Sequence, residues 1–203
     1  MNVVIIAPHP DDEAIGCGGS VCLHVERGDR VVAVFLSSGE LGLKHFAPAR
    51  AWNIREGEAR RAGRVLGLSG LHFLRQPDWY LGKAIRKAAA ALRPILEIEA
   101  PAIVYLPHPV ERHPDHKASI AIVRNAFGKI KIPTLRGYEV WTPLTEFDHV
   151  TDISKVMSRK LRALRAHASQ FEEFDYARAV RGLNQYRGAL AGKCAYAEVF
   201  QTL

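Results

Sequence analysis

Short apolar runs alternate with longer amphipathic stretches along this chain of 203 residues. The runs have the length of strands and predict them at residues 2–7, 31–37, 71–74, 102–106, 137–142 and 149–153. The stretches between them repeat apolar residues at helical spacing and predict helices at about 13–28, 49–67, 83–99, 115–127 and 154–168. The last thirty residues have a less regular pattern. Strands that alternate with helices are typical of βαβ units, so we predict an α/β fold with a mainly parallel sheet.

No internal repeat or Pro-, Gly- or Ser-rich linker divides the chain, so we expect a single domain over residues 1–203. Its 48% hydrophobic and 24% charged residues are typical of globular proteins and argue against a disordered class. The apolar runs are much shorter than the ~20 residues of a membrane span. The first strand also begins too early to leave room for a signal sequence, so a cytoplasmic location is expected.

The formal net charge is +7, from 28 Lys and Arg against 21 Asp and Glu. The basic residues are scattered along helical stretches without interleaved aromatic residues, which favours a solvated basic face. No helix-turn-helix or RNA-binding signature accompanies them. We therefore expect no nucleic-acid partner.

The residues that are best suited to metal binding or catalysis follow two of the predicted strands. Residues 9–13 read His-Pro-Asp-Asp-Glu after the first strand, and residues 113–116 read His-Pro-Asp-His after the fourth. Ligands of open α/β sheets gather at the carboxyl ends of the strands, so both segments should lie on one rim. Imidazole and carboxylate are preferred zinc ligands, and together the two segments predict a metal site.

Three of the four side chains His9, Asp12, His113 and His116 could complete a His/His/Asp ligand set. Three protein ligands leave one position for water, as in catalytic zinc sites. Asp11 is then free to take a proton from that water, and His113 could donate to a developing oxyanion. The alternative is that Asp11 or Asp12 only caps the first helix.

A glycine-rich segment at residues 16–19 follows the first motif. It matches neither the dinucleotide-binding pattern nor the P-loop, and the preceding acidic residues would repel phosphate. We expect these glycines to let the first helix pack closely on the sheet.

Further segments in the same order have a recognisable pattern. They are residues 4–13 with 16–19, Ser38-Gly39-Glu40, Arg55 with Glu58, Leu66-Gly67, Pro77-Asp78, residues 113–116, 137–141 and 152–154, Lys160, Ser169-Gln170 and residues 196–200. On these residues the chain resembles the LmbE-like, or PIG-L, family of zinc-dependent N-deacetylases, which act on N-acetylglucosaminyl groups. The resemblance implies a Rossmann-like three-layer sandwich with the active site at the carboxyl ends of the strands.

The resemblance also implies a role for individual residues. The zinc ligands would be His9, Asp12 and His116; the general base would be Asp11, and His113 would polarise the acyl carbonyl. Asp115 would fix the orientation of a histidine, and the substrate would contact Arg55, Asp78 and Arg112. The chain departs from the family's pattern at Trp79, where glycine is usual.

These observations predict a zinc-dependent hydrolase that removes an acyl group, most readily acetyl, from a small N-acylated amino sugar or sugar conjugate. Another divalent metal such as Fe²⁺ is compatible with the ligands. The sequence is also compatible with assembly into a homo-oligomer. Two alternatives remain. One is a zinc-dependent hydratase on the same scaffold that acts on a small carboxylate, and the other is a nucleotide- or anion-binding module whose motifs only cap helices.

Overall fold

The computed structural model describes residues 1–128, 132–172 and 174–203, and the elements below belong to this part of the chain. The strands are β1 Asn2–Ala7, β2 Arg30–Phe35, β3 Gly70–Phe73, β4 Ile103–Pro107, β5 Thr134–Tyr138, β6 His149–Asp152 and β7 Ala197–Thr202. The helices are α1 Asp12–Glu26, α2 Pro48–Leu66, α3 Ile85–Glu99, α4 Pro114–Phe127, α5 Met157–Arg165 and α6 Tyr176–Arg187. None of these helices is long and apolar enough to span a bilayer.

The strands form one sheet in the order β3-β2-β1-β4-β5-β7-β6. The first five are parallel, whereas β7 is antiparallel to both β5 and β6. This arrangement confirms the predicted α/β fold with a mainly parallel sheet. Most of the predicted strands and helices are found within a few residues of their expected ends.

Two parts of the sequence-based prediction are wrong. The fifth strand ends at Tyr138 instead of residue 142, because the backbone N–H groups of residues 140–142 turn to donate to the Glu111 carboxylate. The last thirty residues are regular after all, since they contain all of α6 and all of β7. Glu198 hides the strand pattern of β7, because it is a buried charged residue at the second position of the strand.

The sheet packs between two helical layers, which makes the molecule a three-layer sandwich. Alternate strand residues such as Ile5 and Phe35 face α1, α2, α5 and α6 in one core. Their neighbours Ile6 and Val34 face α3 and α4 in the other. Burial on both faces explains why the central strands are almost wholly apolar.

The order of the strands places a crevice between β1 and β4. The chain moves outward from β1 through β2 to β3 and then returns to β4 on the other side of β1. At such a switch point the connections leave in opposite directions, and the carboxyl ends of the two strands open onto a ligand-binding crevice. The first His/Asp motif follows β1 directly, and the second lies at the start of α4, after the loop that follows β4.

Close packing of α1 depends on two of its glycines. A Cβ atom at Gly16 would lie 2.1 Å from the Tyr138 ring, and one at Gly19 would lie 2.6 Å from Ile153. Both separations are below van der Waals contact, so the expected packing role of the glycine-rich segment is confirmed. The helix is kinked at Cys17, and just beyond the kink the buried Glu198 carboxylate accepts the N–H groups of residues 19 and 20.

We expect Gly16→Ala to lower the free energy of unfolding by about 2–3 kcal/mol or more, because the new methyl group overlaps a fully buried aromatic ring. Gly182→Ala is the matched control, since a Cβ at this exposed position of α6 meets no atom within 4 Å. It should raise stability by about 0.5–1 kcal/mol through helix propensity. Urea denaturation measures both changes. Equal stability of the two variants would contradict the packing account.

Candidate active site

The turn between β1 and α1 is strained and is held by buried polar groups. Asp11 has a φ of 126°, a region that residues other than glycine rarely adopt. Its N–H donates to Glu13 Oε2 over 3.0 Å, and Arg55 Nη2 donates to the Pro10 carbonyl and to Asp11 Oδ2 over 2.5 and 3.3 Å. His167 in turn lies 3.0 Å from Glu13 Oε1. The Asp11 side chain makes no capping hydrogen bond to α1. In this strained turn its carboxylate faces Arg55 instead.

Asp12 lies between two histidines from the two motifs. Its Oδ2 atom is 3.3 Å from His9 Nδ1 and 3.3 Å from His116 Nε2. Ligand atoms of a tetrahedral zinc ion with bonds of about 2.0–2.1 Å are about 3.3–3.4 Å apart, so these separations fit such an ion. All three residues are buried, and His116 Nε2 has no hydrogen-bond partner.

Among the described residues, two groups of three bring their ligand atoms within 4.8 Å of one another, and neither of them contains Asp12. One is His9, His113 and His116, and the other is His9, Asp78 and Asp115. His9 therefore belongs to every candidate ligand set. The fold brings the two motifs together as the sequence predicted, and the choice of third ligand lies between Asp12 and His113.

The ligand candidates are backed by carboxylates on the side away from Asp12. His9 Nε2 lies 3.1 Å from Asp78 Oδ1 and 3.3 Å from Asp115 Oδ2. His116 Nδ1 lies 3.5 Å from Glu111 Oε2. Carboxylates in this position fix the ring orientation and tautomer of a metal-binding histidine.

His113 is uncharged at neutral pH, and the backbone engages one of its two ring nitrogens. Burial, together with the nearby His9 and His116, lowers the pKa of His113 to about 4. Its Nδ1 accepts the Asp115 backbone N–H over 3.2 Å at the start of α4. The proton of the neutral ring is therefore on Nε2, which can act as a hydrogen-bond donor.

The acidic groups of the two motifs differ in their titration. Burial raises the pKa of Asp11 to about 6, although the Arg55 charge opposes this. Burial alone would also raise the pKa of Asp12, but His116 and His9 outweigh it and hold that pKa well below its usual range. Burial would lower the pKa of His116, but Asp12 and Glu111 raise it to about 9. The pKa values of the two adjacent aspartates are thus shifted in opposite directions.

Two of the three residues expected at the substrate have their polar atoms engaged by the protein. Arg55 is buried and bonds to the 9–11 turn and to the Gly39 carbonyl. Asp78 is buried against His9 and accepts the Leu41 N–H over 2.9 Å. Of these three residues, only Arg112 is exposed to solvent.

Sequence reasoning missed the role of three buried residues. Glu111 connects His116 with the loop after β5, while Glu13 and His167 support the backbone of Asp11. Glu13 lies within the first motif, but its contacts with Asp11 and His167 form only through the fold. Nothing in the sequence around Glu111 or His167 distinguishes them, because their partners come from distant segments.

The conserved-family model described as "PIG-L: GlcNAc-PI de-N-acetylase" matches residues 4–127, which include both motifs. Diacetylchitobiose deacetylase from Thermococcus kodakarensis is 31% identical over 194 residues, covering 85% of this chain and 71% of that protein. The chain belongs to the PIG-L family. The resemblance drawn from its motifs is thereby confirmed.

Solved structures agree with this membership. The N,N′-diacetylchitobiose deacetylase of Pyrococcus horikoshii superimposes with a TM-score of 0.87 at 26% identity, covering 99% of this chain and 83% of that chain. The 4-carboxy-2-hydroxymuconate hydratase of Pseudomonas putida has the same fold, with a TM-score of 0.79 at 21% identity and coverage of 100% and 96%. The PIG-L fold alone therefore does not determine the reaction.

We expect Glu111→Gln to destabilise the protein by about 2–4 kcal/mol, because an amide replaces a buried carboxylate that faces three backbone N–H groups and two imidazoles. Chemical denaturation of the metal-free protein measures the change. Glu97→Gln is the control on an exposed position and should alter stability by less than about 0.5 kcal/mol. Similar stability of both variants would show that Glu111 does not hold the site together.

Proposed function

We propose that this PIG-L family member is a zinc-dependent amidohydrolase that removes an acetyl group from an N-acetylated amino sugar or sugar conjugate. The observation that carries the proposal is Asp12 Oδ2, placed at equal distances from His9 and His116 with spacings that suit zinc. Asp11 and His113, which can serve proton transfer and carbonyl polarisation, stand beside this cluster. Deacetylase relatives with sugar substrates support the reaction class.

His9, Asp12 and His116 would hold the metal. When bound, a zinc ion would lower the pKa of a water molecule and polarise the acyl carbonyl. The mixed nitrogen and oxygen donors suit zinc, and Fe²⁺ is the alternative with the same ligands. Asp78, Asp115 and Glu111 would keep the two imidazoles in position.

Asp11 acts as the general base and then as the general acid. It accepts a proton from the attacking water, whose oxygen forms a bond to the acyl carbon, and returns the proton to the amine when the C–N bond breaks. The products are acetate and the free amino sugar. Arg55 and Glu13 hold Asp11 in its strained conformation, so that its carboxylate stays out of the helix cap.

His113 stabilises the oxygen of the tetrahedral intermediate. Its Nε2–H is the donor, because Nδ1 is occupied by the Asp115 backbone N–H. The His113 ring centroid lies 4.7 Å from that of His9 and 5.0 Å from that of His116, so the donor is beside the proposed metal. Arg112 is the remaining candidate for a direct substrate contact, since its side chain is exposed at the same rim.

We place this activity in the cytoplasm, where free cysteines such as Cys17 and Cys22 stay reduced.

The direct test measures free amine and acetate from the zinc-loaded protein with N-acetylglucosamine and N,N′-diacetylchitobiose. We expect both products in equal amounts. Release of neither would contradict the proposed hydrolase. Loss of ultraviolet absorbance from a conjugated unsaturated dicarboxylate in the same preparation would instead indicate a hydratase.

We expect the purified protein to bind about one zinc ion per chain, and His9→Ala, Asp12→Ala or His116→Ala to abolish this binding because three-ligand sites have no ligand to spare. His45→Ala is the control, since His45 is exposed and far from both motifs in sequence. Metal analysis after dialysis against a fixed zinc concentration gives the occupancy. Full zinc occupancy in Asp12→Ala would show that Asp12 is not a metal ligand.

The adjacent aspartates should differ in phenotype. We expect Asp11→Asn to keep its zinc and lose a factor of roughly 10²–10⁴ in kcat, because proton transfer is removed. Asp12→Asn should instead lower zinc affinity. Steady-state kinetics at saturating zinc, paired with metal titration, separates the two effects. Near-normal turnover of Asp11→Asn would exclude general-base catalysis by this residue.

A further inference from the structure

Trp79 has a backbone conformation that tryptophan rarely adopts. Its φ is 68°, in the left-handed region that favours glycine, and 52% of the residue is exposed. A strained and half-exposed position contributes little to folding stability for a side chain of this size. Strain of this kind persists mainly where the side chain has a function.

The surrounding structure fixes the peptide of Trp79. Its N–H donates to Asp115 Oδ2 over 2.7 Å, and the Leu81 N–H donates to the other oxygen of that carboxylate over 3.0 Å. Asp115 Oδ2 also lies 3.3 Å from His9 Nε2. One carboxylate therefore sets the position of Trp79 and the orientation of a proposed metal ligand.

The indole ring reaches the proposed catalytic histidine. The Trp79 and His113 ring centroids are 4.5 Å apart, with an interplanar angle of 55°. Half of the residue stays open to solvent beside the buried polar cluster. An aromatic face next to convergent polar groups is a common feature of small-molecule sites.

We propose that Trp79 is a specificity-determining residue whose indole packs against the sugar ring that carries the N-acyl group. The proposal rests on the proposed deacetylase function and adds the group that selects the substrate. The C–H face of a pyranose ring is apolar and can cover the exposed indole, while its acetamido group extends to His113. The hydrogen bonds to Asp115 hold this left-handed segment with the Trp79 indole against His113. Acyclic N-acetyl amines lack such a face and gain less from Trp79.

Three variants separate the ring from the backbone. Trp79→Asn removes the ring but tolerates the left-handed conformation, Trp79→Gly also adds flexibility, and Trp79→Phe keeps an aromatic face. Tyr80→Ala is the matched control. Tyr80 is equally exposed and its ring contacts Lys83 instead of the site.

For N,N′-diacetylchitobiose we expect Trp79→Asn and Trp79→Gly to lose a factor of about 10 or more in kcat/KM, chiefly through KM, and Trp79→Phe to lose less. N-acetylglycine has no pyranose face, so its kcat/KM should fall less, and the ratio of kcat/KM for N,N′-diacetylchitobiose to that for N-acetylglycine should drop about fivefold or more in Trp79→Asn. Tyr80→Ala should match the wild type on both compounds. Normal sugar kinetics in Trp79→Asn would overturn the proposal, as would a loss confined to Trp79→Gly.

Calorimetric binding of N-acetylglucosamine gives a second readout that needs no turnover. We expect the dissociation constant to rise about 10-fold or more in Trp79→Asn and to stay unchanged in Tyr80→Ala. Equal affinity of the wild type and Trp79→Asn would refute the role of Trp79 even if no amine were released. Absent turnover with Trp79-dependent binding would count against the deacetylase reaction alone.

Discussion

Burial of opposite charges at the ends of β1 and β4 is the constraint on which the rest of this structure depends. Asp12, Asp78, Asp115 and Glu111 are all almost wholly inaccessible to solvent, and each faces an imidazole of the two motifs. Buried carboxylates are costly unless they are paired and hydrogen-bonded. The cluster is therefore stable only when the histidines and their backbone supports are all in place.

The same carboxylates connect the candidate site to loops from several parts of the fold. Glu111 accepts three N–H groups from the loop after β5, and Asp115 accepts two from the loop after β3. Glu198 performs a similar role below the site, where it joins α1 to the buried Lys160. A parallel sheet with a switch point between β1 and β4 gives these loops a common edge. Site geometry and loop geometry consequently depend on each other.

The sequence allowed the parallel core and the two motifs to be predicted, because both are local signals. Apolar runs reveal buried strands, and His-Pro-Asp-Asp places several metal-binding groups within one turn. The roles of Glu111 and Asp78 could not be predicted in this way, since each depends on a histidine from another segment. Strand β7 was missed because Glu198 interrupts its apolar pattern and pairs with Lys160, a partner from a distant segment, in the folded protein. The strained conformation of Trp79 likewise results from hydrogen bonds to Asp115.

The central claim is that His9, Asp12 and His116 bind one metal while His113 stands beside it as a donor. X-ray absorption at the zinc edge, measured on the zinc-loaded wild type and His113→Ala, tests this claim most directly because it counts imidazole ligands. The account predicts two imidazoles, with oxygen completing the coordination at about 2.0–2.2 Å, in both proteins. Three imidazoles in the wild type, with one lost in His113→Ala, would contradict it and make His113 a ligand.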